Sequence, residues 1–459
     1  MTRRSVTVIG GGLAGITAAL DCARAGAEVT LLESRGRLGG AVYSFDRDGL
    51  HADNGQHVFL RCCTAYRELL ADLGATEMVT LQRQLRIAVL APGGRRGWLS
   101  RGSLPAPLHL APSLLRYPFL SPRRRLSVAL AMRRLGAVDV NDPRADARSF
   151  GDWLTSHGQD ADAVQALWGL IVRPTLNLLP ADASLAQAAL VFQLGLLQDA
   201  AAGDLGHARV PLGDIHDRAA QRALAAAGVT VHLRSSAAAI VPGATGFGIE
   251  ISGAPTQRAQ AVVLAVPHDR AARLAPAAAG LDGPALARLG RSPIVNLHVV
   301  YDRPVLDVPF AAGIGTPVQW VFDRTESSGI TAGQYLVVSL SAADEDAAAG
   351  GDELRARYER ALAELLPAAR DAAITTFFAT RDTAATFRAG PGARAWRPPA
   401  TTALPGLALA GAWTDTGWPA TMEGAVRSGH AAARVVLSVP VGSEEPEIAL
   451  AAPVAGRSA

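Results

Sequence analysis

The stretch SVTVIGGGLAGITAALDCARAGAEVTLLE, residues 5–33, carries the pattern that decides the fold. A short β-branched run at residues 5–9 predicts a buried strand, and the Ala-rich run after it predicts a helix to about Ala25. Gly26 ends that helix, and AEVTLLE predicts a second strand that finishes at Glu33. The stretch therefore predicts a β-α-β unit of the kind that binds dinucleotides.

The glycines after the first strand follow the spacing G-x-G-x-x-G. We expect Gly10 to permit a tight turn, Gly12 to let the backbone approach a pyrophosphate, and Gly15 to let the helix pack on the strand. The free N–H groups at the helix N-terminus attract phosphates. Glu33, about 20 residues further on, is placed to accept hydrogen bonds from ribose hydroxyls. This unit alone does not distinguish FAD from NAD.

The composition excludes several classes of protein. The chain has 459 residues, of which 49% are hydrophobic and 19% charged, so it is long enough for several folded units and too apolar for disorder. Its net charge of +3 gives no electrostatic support for nucleic-acid binding. All 44 basic residues are arginine, which excludes any mechanism that needs a lysine amine.

The three cysteines, Cys22, Cys62 and Cys63, have neither a disulfide framework nor metal-ligand spacing. We therefore expect no metal site and a reducing cytoplasm. The first predicted strand begins so near residue 1 that we expect no signal peptide. The sequence has no apolar run of about 18 residues, so a membrane-spanning helix is not expected.

Residues 33–40, ESRGRLGG, resemble the E-x-x-x-R-x-G-G signature of the FAD-dependent amine oxidase and phytoene desaturase superfamily. In that superfamily the second strand runs into an arginine-bearing loop and a glycine pair close to the pyrophosphate. The family usually has an arginine after the glycine pair, whereas this chain has Ala41. The resemblance implies FAD as the cofactor, with one phosphate contact fewer.

Three further stretches resemble one branch of this superfamily, the squalene-associated FAD-dependent desaturases. DNGQHVFL, residues 53–60, is similar to the G-x-H-[IV]-F segment of plant-type phytoene desaturases. Residues 167–192 resemble the interior of the squalene-associated enzymes, with an Asn-Leu-x-Pro turn and an Asp-Ala-Ser helix start. Residues 410–429, AGAWTDTGWPATMEGAVRSG, resemble the C-terminal flavin-binding segment. The resemblance covers nearly the whole chain except the tail.

The resemblance implies an α/β fold. In it, a Rossmann-like FAD-binding domain of the glutathione-reductase-like, amine oxidase type is interleaved with an α+β substrate domain. The expected FAD-binding domain is 1–77, 207–284 and 396–437, the substrate and membrane-facing domain is 78–206 and 285–395, and a disordered tail is 438–459.

The same resemblance implies an activity. Hydroxysqualene would lose its allylic hydroxyl and gain a hydride from reduced flavin, which gives squalene for the squalene and hopanoid pathways. The partner is then a lipophilic isoprenoid, and the reductant of the flavin stays open. We expect FAD to bind non-covalently, because covalently flavinylated amine oxidases use a cysteine near the C-terminal motif and the last cysteine here is Cys63.

The candidate catalytic residues are Asp53, Gln56 and His57, which surround Gly55. Ionising an allylic C–O bond needs an acid that protonates the leaving water, and a histidine titrates close to neutral pH. We expect His57 near the flavin, where it either delivers that proton or only hydrogen-bonds the ring edge. Asp53 has its own alternative, which is to cap the turn at Gly55.

The C-terminal motif predicts a helix whose N-terminal N–H groups stabilise negative charge on the flavin as it is reduced. The superfamily normally has Gly-Asp before this helix, with the acid on the ribityl chain, whereas this chain has Gly411-Ala412 and offers Asp415 as a replacement. By matching these motifs, the residues expected to bind FAD are Gly10, Gly12, Leu13, Ala14, Gly15, Glu33, Ser34, Arg35, Arg37, Gly39, Gly40, Gly55, Gln56, His57, Val58, Ala238, Gly411, Ala412, Met422 and Glu423.

Residues 104–136 place short apolar runs among prolines and arginines. Ser121 and Pro122 predict a helix cap followed by a proline in the first helical position. Beyond them, leucines contrast with arginines as in a basic amphipathic helix that lies in a membrane surface. The alternative is a plain helix of the substrate domain with solvated arginines. We expect a cytoplasmic protein, peripheral on the inner face of the plasma membrane if the first alternative holds.

Three other functions stay open. A carotenoid desaturase of the phytoene type is the nearer rival, since the same pocket could host oxidation or reduction. A flavin amine oxidase is less favoured, because no lysine is available beside the flavin and Thr421 stands where an aromatic residue often precedes Met-Glu-Gly. Trp413 and Trp418 could still supply aromatic walls. The third is a flavin-bound isoprenoid carrier without catalysis.

Overall fold

The computed structural model describes residues 3–439. Its strands are β1 Ser5–Ile9, β2 Glu28–Leu32, β3 Ser44–Arg47, β4 Leu50–Asp53, β5 Phe59–Leu60, β6 Val79–Leu81, β7 Arg86–Ala91, β8 Arg95–Ser100, β9 Leu205–Ala208, β10 Thr230–His232, β11 Ala237–Pro242, β12 Phe247–Ile251, β13 Ala254–Ala259, β14 Ala261–Leu264, β15 Ser292–Tyr301, β16 Phe310–Gly313, β17 Trp320–Asp323, β18 Gln334–Ser341, β19 Ile374–Thr386 and β20 Leu407–Leu409.

Its α-helices are α1 Leu13–Arg24, α2 Thr64–Asp72, α3 Ala111–Arg116, α4 Pro122–Leu135, α5 Pro143–Ala147, α6 Phe150–Ser156, α7 Ala161–Ala163, α8 Gly169–Leu176, α9 Leu185–Phe192, α10 Ala220–Ala226, α11 His268–Leu274, α12 Gly283–Arg288, α13 Thr325–Ser328, α14 Asp344–Ala348, α15 Gly351–Leu365 and α16 Met422–Ser438. Three π-helical turns lie at Val164–Trp168, Gln193–Leu197 and Asp214–Ala219. Short 3-10 turns lie at Thr76–Met78, Pro92–Gly94, Leu108–Leu110, Ala277–Ala279, Pro367–Asp371 and Ala393–Trp396.

The predicted β-α-β unit is confirmed. β1 and β2 pair in parallel within a five-stranded sheet of order β10-β2-β1-β14-β20. α16 packs closely on α1, because an added Cβ at Gly429 would lie only 2.4 Å from Ala14 O. The two ends of the described chain therefore meet on one side of this sheet.

A mixed seven-stranded sheet, of order β19-β15-β18-β17-β16-β7-β8, forms the second large layer. One face packs on α15, where Leu297 and Val338 share a hydrophobic cluster with Tyr358. The opposite face, called the inner face below, carries Val89, which belongs to the same cluster as Trp168 in the π-helical turn before α8. Successive strand residues alternate between these two faces.

The chain crosses between the two large sheets several times. A small sheet pairs β5 and β6 with β9, and β9 spans the boundary that we expected between residues 206 and 207. That boundary falls inside a strand, and the division of the chain into domains stays a prediction. The strands of the five-stranded sheet come from 5–32, 230–264 and 407–409, and those of the seven-stranded sheet come from 86–100 and 292–386.

The helix predicted after Ser121 is confirmed, since α4 begins at Pro122 and Ser121 Oγ accepts a hydrogen bond from Arg124 N at 3.4 Å. Within residues 3–439, none of the helices combines the length and the apolar character that a bilayer crossing requires. Ser438, expected to open the disordered tail, is instead the last residue of α16, and residues 440–459 of that tail lie outside the described residues.

Candidate functional site

The glycine loop after β1 lies against a second glycine loop, at Gly39 and Gly40. Gly10 has a φ of +110°, and an added Cβ there would lie 2.2 Å from a backbone oxygen. Gly39 N donates a hydrogen bond to Gly11 O at 2.9 Å. At Gly12, by contrast, the nearest atom to an added Cβ is Gly40 Cα, at 3.8 Å. The two loops therefore present backbone to a shared open space.

α1 begins directly after this loop. Leu13 and Ala14 are its first two residues, and Gly12, its N-cap, has no side chain to cap it. Gly15 lies in the first turn, where an added Cβ would lie 1.9 Å from Gly10 O. The first-turn N–H groups can therefore serve the phosphates of a ligand, while Gly15 permits the close packing.

Glu33, just beyond the end of β2, is buried and already has three partners. Its carboxylate accepts hydrogen bonds from Gly11 N at 2.7 Å, from Arg35 N at 2.7 Å and from Ser34 Oγ at 3.1 Å. Glu33 therefore ties the first glycine loop to the arginine-bearing loop. Its expected contact with a ribose stays a prediction.

Two arginines stand beside the second glycine loop. Gly40 O accepts hydrogen bonds from Arg35 Nη1 at 3.5 Å and from Arg37 Nη1 at 3.1 Å. The Arg37 guanidinium also lies 3.7 Å from the ring centroid of Tyr43, and burial lowers the pKa of that guanidinium. These two arginines place positive charge close to Ala41, the position at which the superfamily usually has an arginine.

Asp53 ends β4, and the protein itself engages its carboxylate. Oδ1 accepts from Ser44 Oγ at 2.6 Å and from Leu212 N at 2.9 Å, while Oδ2 accepts from Arg324 Nη2 at 3.0 Å. Asp53 and Arg324 are only 5% and 7% exposed. Burial raises the pKa of Asp53, and the charge of Arg324 opposes that rise. This arrangement supports a structural role for Asp53 over a catalytic one.

Asn54 fixes the loop that follows. Its backbone N donates to Tyr43 O at 2.9 Å, and its Oδ1 accepts from Tyr43 N at 3.0 Å. Asn54 Nδ2 donates to Ala41 O at 2.9 Å. Asn54 O accepts from Asn296 Nδ2 at 3.0 Å and from Thr380 Oγ1 at 3.2 Å. The loop is therefore held between the second glycine loop and the inner face of the seven-stranded sheet.

The remaining residues of this loop present groups to the interior. An added Cβ at Gly55 would lie 3.0 Å from Asn296 Nδ2, so the loop backbone rests directly on that side chain. Gln56 Nε2 is buried and has no hydrogen-bond partner in the described part of the chain. His57 is half-buried, and desolvation lowers its pKa to about 4. Val58 is 38% exposed. At neutral pH His57 is therefore an uncharged imidazole.

An arginine that sequence reasoning missed holds the loop before α16. Arg397 donates to Ala412 O at 3.1 Å, to Trp413 O at 3.4 Å and to Thr414 O at 2.6 Å. Arg397 is 5% exposed, and burial lowers its pKa to about 10. Gly411, with a φ of +143°, makes the sharp turn that opens this loop. Arg397 thus holds three successive carbonyls in the loop where the superfamily has an aspartate and this chain has Ala412.

Three other residues considered for flavin binding have unrelated surroundings. Met422 begins α16, whose N-cap is Thr421. Asp415, the candidate replacement for the missing acid, lies 3.6 Å from the guanidinium of Arg394. Ala238 is exposed on β11, beside an irregularity in the strand register.

Glu423 is completely buried and caps a neighbouring helix. Its carboxylate accepts from Ala65 N at 3.2 Å and from Tyr66 N at 2.8 Å, in the first turn of α2. It also accepts from Arg427 Nε at 2.7 Å. A direct contact of this carboxylate with flavin stays a prediction, while its hold on α2 is a feature of the fold.

Several site residues were not predicted from the sequence. Asn54 stands inside the motif that suggested the site, and its polar side chain next to Gly55 was the available indication. The others lie far away in the chain, outside any motif, and only the folded sheets bring them to the loop. They are Asn296, Arg324, Thr380 and Arg397.

The described residues fit an FAD. Gly12 leaves open space beside two exposed backbone loops, which suits a pyrophosphate. Gln56 Nε2 is a buried donor that lacks a partner, and such a group costs free energy unless a ligand or water engages it. The N-terminus of α16, capped by Thr421, lies within the C-terminal motif of residues 410–429 and offers the positive end of the helix dipole to a ligand. No group of three or more His, Cys, Asp or Glu suited to a metal ion is found within residues 3–439.

Comparison with known proteins identifies relatives over the whole fold. Residues 13–437 match the model of the family described as flavin containing amine oxidoreductase. A hydroxysqualene dehydroxylase of Rhodopseudomonas palustris is 32% identical over 95% of this chain and 99% of its own length. A probable zeta-carotene desaturase of Synechococcus elongatus is 26% identical over 94% of this chain and 98% of its own. A structure of putrescine oxidase shares the fold, with a TM-score of 0.71 at 20% identity over 95% of this chain and 99% of that one.

Proposed function

Since the chain belongs to the family of flavin containing amine oxidoreductases and is an FAD-dependent oxidoreductase, we propose that it converts hydroxysqualene to squalene by reductive removal of the allylic hydroxyl. The observation that carries this proposal is the full-length likeness to a hydroxysqualene dehydroxylase, at 32% identity. The zeta-carotene desaturase of comparable coverage is 26% identical, which makes desaturation the second candidate.

Residues of both glycine loops would hold the cofactor. Gly12 and Gly40 would face its pyrophosphate, the first turn of α1 would meet the phosphates, and Gln56 Nε2 would donate to the ring system. FAD, once reduced, supplies the hydride that replaces the hydroxyl. We propose that it binds non-covalently.

The inner face of the seven-stranded sheet supplies the dry environment that this chemistry needs. Phe310, Trp320 and Phe322 lie side by side along it, with ring centroids 6.0 to 6.4 Å apart. An allylic cation reacts with any water within reach, so these rings protect it by excluding water. The same apolar surface suits the hydrocarbon chain of an isoprenoid.

His57 has a positioning role in this proposal. An imidazole with a pKa of about 4 is uncharged at neutral pH and is a poor source of the proton that the leaving water requires. The uncharged ring can still hydrogen-bond the cofactor edge or the backbone around Gly55.

The test is anaerobic incubation of the chemically reduced holoenzyme with hydroxysqualene, squalene or phytoene, followed by product analysis. We expect squalene from hydroxysqualene and no product from the other two. A parallel incubation of the oxidised holoenzyme with phytoene that yields dehydrogenated products would favour the desaturase instead. Absence of squalene from hydroxysqualene would refute the proposal.

A membrane surface is the proposed source of the substrate. Five leucines of residues 104–130 have side chains 45% to 68% exposed, and they are Leu104, Leu108, Leu115, Leu126 and Leu130. Leu115, Leu126 and Leu130 lie on the helical hairpin α3–α4, and Arg123, Arg133 and Arg134 are exposed on its second helix. Exposed leucines beside arginines suit an anionic bilayer, into which the leucines insert while the arginines meet headgroups.

The ion pairs and hydrogen bonds of the arginines on α4 decide which variant can test the proposed membrane surface. Arg124 pairs with Asp160, the N-cap of α7, at 2.8 Å, and Arg125 donates to Leu115 O and to Tyr117 O, so replacing either would disturb contacts that hold α4 in place. The informative variant is therefore Leu115→Ser with Leu126→Ser and Leu130→Ser.

We expect the wild type to float with vesicles that contain phosphatidylglycerol and the triple variant to stay behind. A double variant at exposed apolar positions elsewhere, Leu179→Ser with Val241→Ser, is the matched control and should float. Equal flotation of the triple variant and the wild type would refute the membrane proposal.

A further inference from the structure

One row of directly opposed residues crosses the inner face of the seven-stranded sheet. Directly opposed residues on paired strands point to the same face. The row runs through Thr380, Asn296, Ser339, Trp320, Ala312, Val89 and Gly97.

The row joins two features described above. At one end, Asn296 and Thr380 donate to Asn54 O, so the row begins at the loop of the flavin site. At the other end, an added Cβ at Gly97 would lie 2.8 Å from Phe119, in the turn between α3 and α4. The row therefore leads from the flavin loop to the hairpin with the exposed leucines.

Two buried polar atoms in this row lack a partner within the described residues, Asn296 Oδ1 and Trp320 Nε1. Asn296 is 2% exposed, and its amide orientation is fixed because its Nδ2 must face the Asn54 carbonyl. Ser339 stands between them, opposite Asn296 on one side and Trp320 on the other. A buried donor and a buried acceptor left unpaired destabilise the fold unless a ligand or an ordered water engages them.

We propose that Asn296, Ser339 and Trp320 form the subsite that binds the hydroxyl group of the isoprenoid substrate. An alcohol has one O–H donor and two lone pairs. Asn296 Oδ1 accepts a hydrogen bond from the alcohol O–H, Trp320 Nε1 donates one to the alcohol oxygen, and Ser339 Oγ can do either. This assignment rests on the proposed function. These three residues would then distinguish a hydroxylated C30 chain from the hydrocarbon product.

The consequence is selectivity. A hydrocarbon bound against this row leaves Asn296 Oδ1 and Trp320 Nε1 unpaired, and sites built to hydrogen-bond a substrate group reject the analogue that lacks it. Squalene should therefore bind more weakly than hydroxysqualene to the oxidised holoenzyme, which also favours release of the product.

The test measures dissociation constants of hydroxysqualene and of squalene, through the change in flavin absorbance on binding, in Ser339→Ala and Trp320→Phe. We expect each variant to bind hydroxysqualene about tenfold more weakly, the size of one lost hydrogen bond, and squalene as the wild type does. Trp98→Phe is the matched control, because Trp98 lies in the same sheet on the opposite face, and it should change neither constant.

Asn296 is left unaltered in this test because it also holds the flavin loop through Asn54 O. Equal weakening for both ligands, or wild-type selectivity in both variants, would overturn the subsite while wild-type turnover of hydroxysqualene still stands. A wild type that neither binds nor converts hydroxysqualene would overturn the proposed function together with the subsite.

Discussion

His57 decides whether the loop at residues 53–58 supplies an acid. Its pKa of about 4 makes it neutral at physiological pH, so removing it takes away at most a hydrogen bond. We expect His57→Gln to lower kcat by about tenfold or less, whereas loss of a general acid costs roughly 100-fold to 10,000-fold. The measurement is kcat against pH at saturating FAD, with flavin content determined by absorbance.

A larger loss for His57→Gln, accompanied by the disappearance of one limb of the pH profile, would identify His57 as the proton donor after all. Retention of bound flavin separates either result from a loss of the cofactor.

Asp53 and Arg324 form a buried ion pair, and its removal should lower the free energy of unfolding. Asp53→Ala would leave the guanidinium of Arg324 buried without an anion, which costs roughly 3–5 kcal/mol. Asp46→Ala, whose side chain is 77% exposed on the neighbouring strand β3, should cost no more than about 0.5 kcal/mol. Urea unfolding of the FAD-saturated proteins compares the two, and similar values for both would contradict a structural role for the pair.

For single residues, the sequence could indicate which polar residues belong to the site, but not which residues they hydrogen-bond. The asparagine, glutamine and histidine around Gly55 suggested a site because polar groups rarely cluster beside an apolar run. Asn296 and Arg397 could not be found, because strand β15 and the loop before β20 carry them without a motif. The catalytic and cofactor-binding residues stay predictions.

The glycine loop between β1 and α1 gives a test at the scale of the element. At Gly12 an added methyl group meets nothing closer than 3.8 Å, so Gly12→Ala should leave the fold intact while it occupies space meant for the pyrophosphate. We expect FAD affinity to fall at least about 100-fold, since the backbone can no longer approach the phosphates. Titration of the apoprotein with FAD measures the loss.

The control for Gly12→Ala is Gly351→Ala, at the start of α15, where an added Cβ has no neighbour within 4 Å. That variant should bind FAD as the wild type does. Unchanged FAD affinity in Gly12→Ala would mean that the pyrophosphate lies elsewhere.

Elements were predicted well where local pattern determines them. The β-α-β unit follows from glycine spacing and a β-branched run, and the start of α4 follows from Ser121 and Pro122; both are confirmed. The hydrogen bonds of Glu423 to the first turn of α2 were not predicted, because α2 lies more than 350 residues away in the chain. Such a contact leaves no trace in local sequence.

Buried histidines give the whole molecule a dependence on pH. Burial lowers the pKa of His298 to about 3, and Arg47 adds to that shift; His298 bonds Tyr335 Oη at 2.6 Å and Thr380 Oγ1 at 3.0 Å. Since the folded pKa lies below the unfolded value, the unfolded chain takes up the proton first as pH falls. Stability is therefore lost from about pH 6.5 downward, by roughly 2 kcal/mol at pH 5 for this one group.

We expect the Tm of the wild type to fall between pH 7 and pH 5, and His298→Asn, although less stable at pH 7, to fall by less. Identical slopes for the wild type and His298→Asn would contradict a buried neutral histidine at this position.

The family, the fold and FAD were predicted at the scale of the whole chain and are confirmed, because motifs at residues 10–40, 53–60 and 410–429 have to meet around one cofactor. Domain boundaries were less accessible, since a strand such as β9 pairs across them. The membrane-facing hairpin stays a proposal, although its exposed leucines could be suspected from the sequence alone.

The most direct test of the central claim is a single turnover without oxygen. The holoenzyme is reduced chemically, freed of reductant, and mixed with an excess of hydroxysqualene, while flavin absorbance and squalene are followed together. We predict one squalene formed for each flavin that becomes oxidised, at the same rate. Squalene formed while the flavin stays reduced, or flavin oxidised without squalene, would contradict hydride transfer to the isoprenoid.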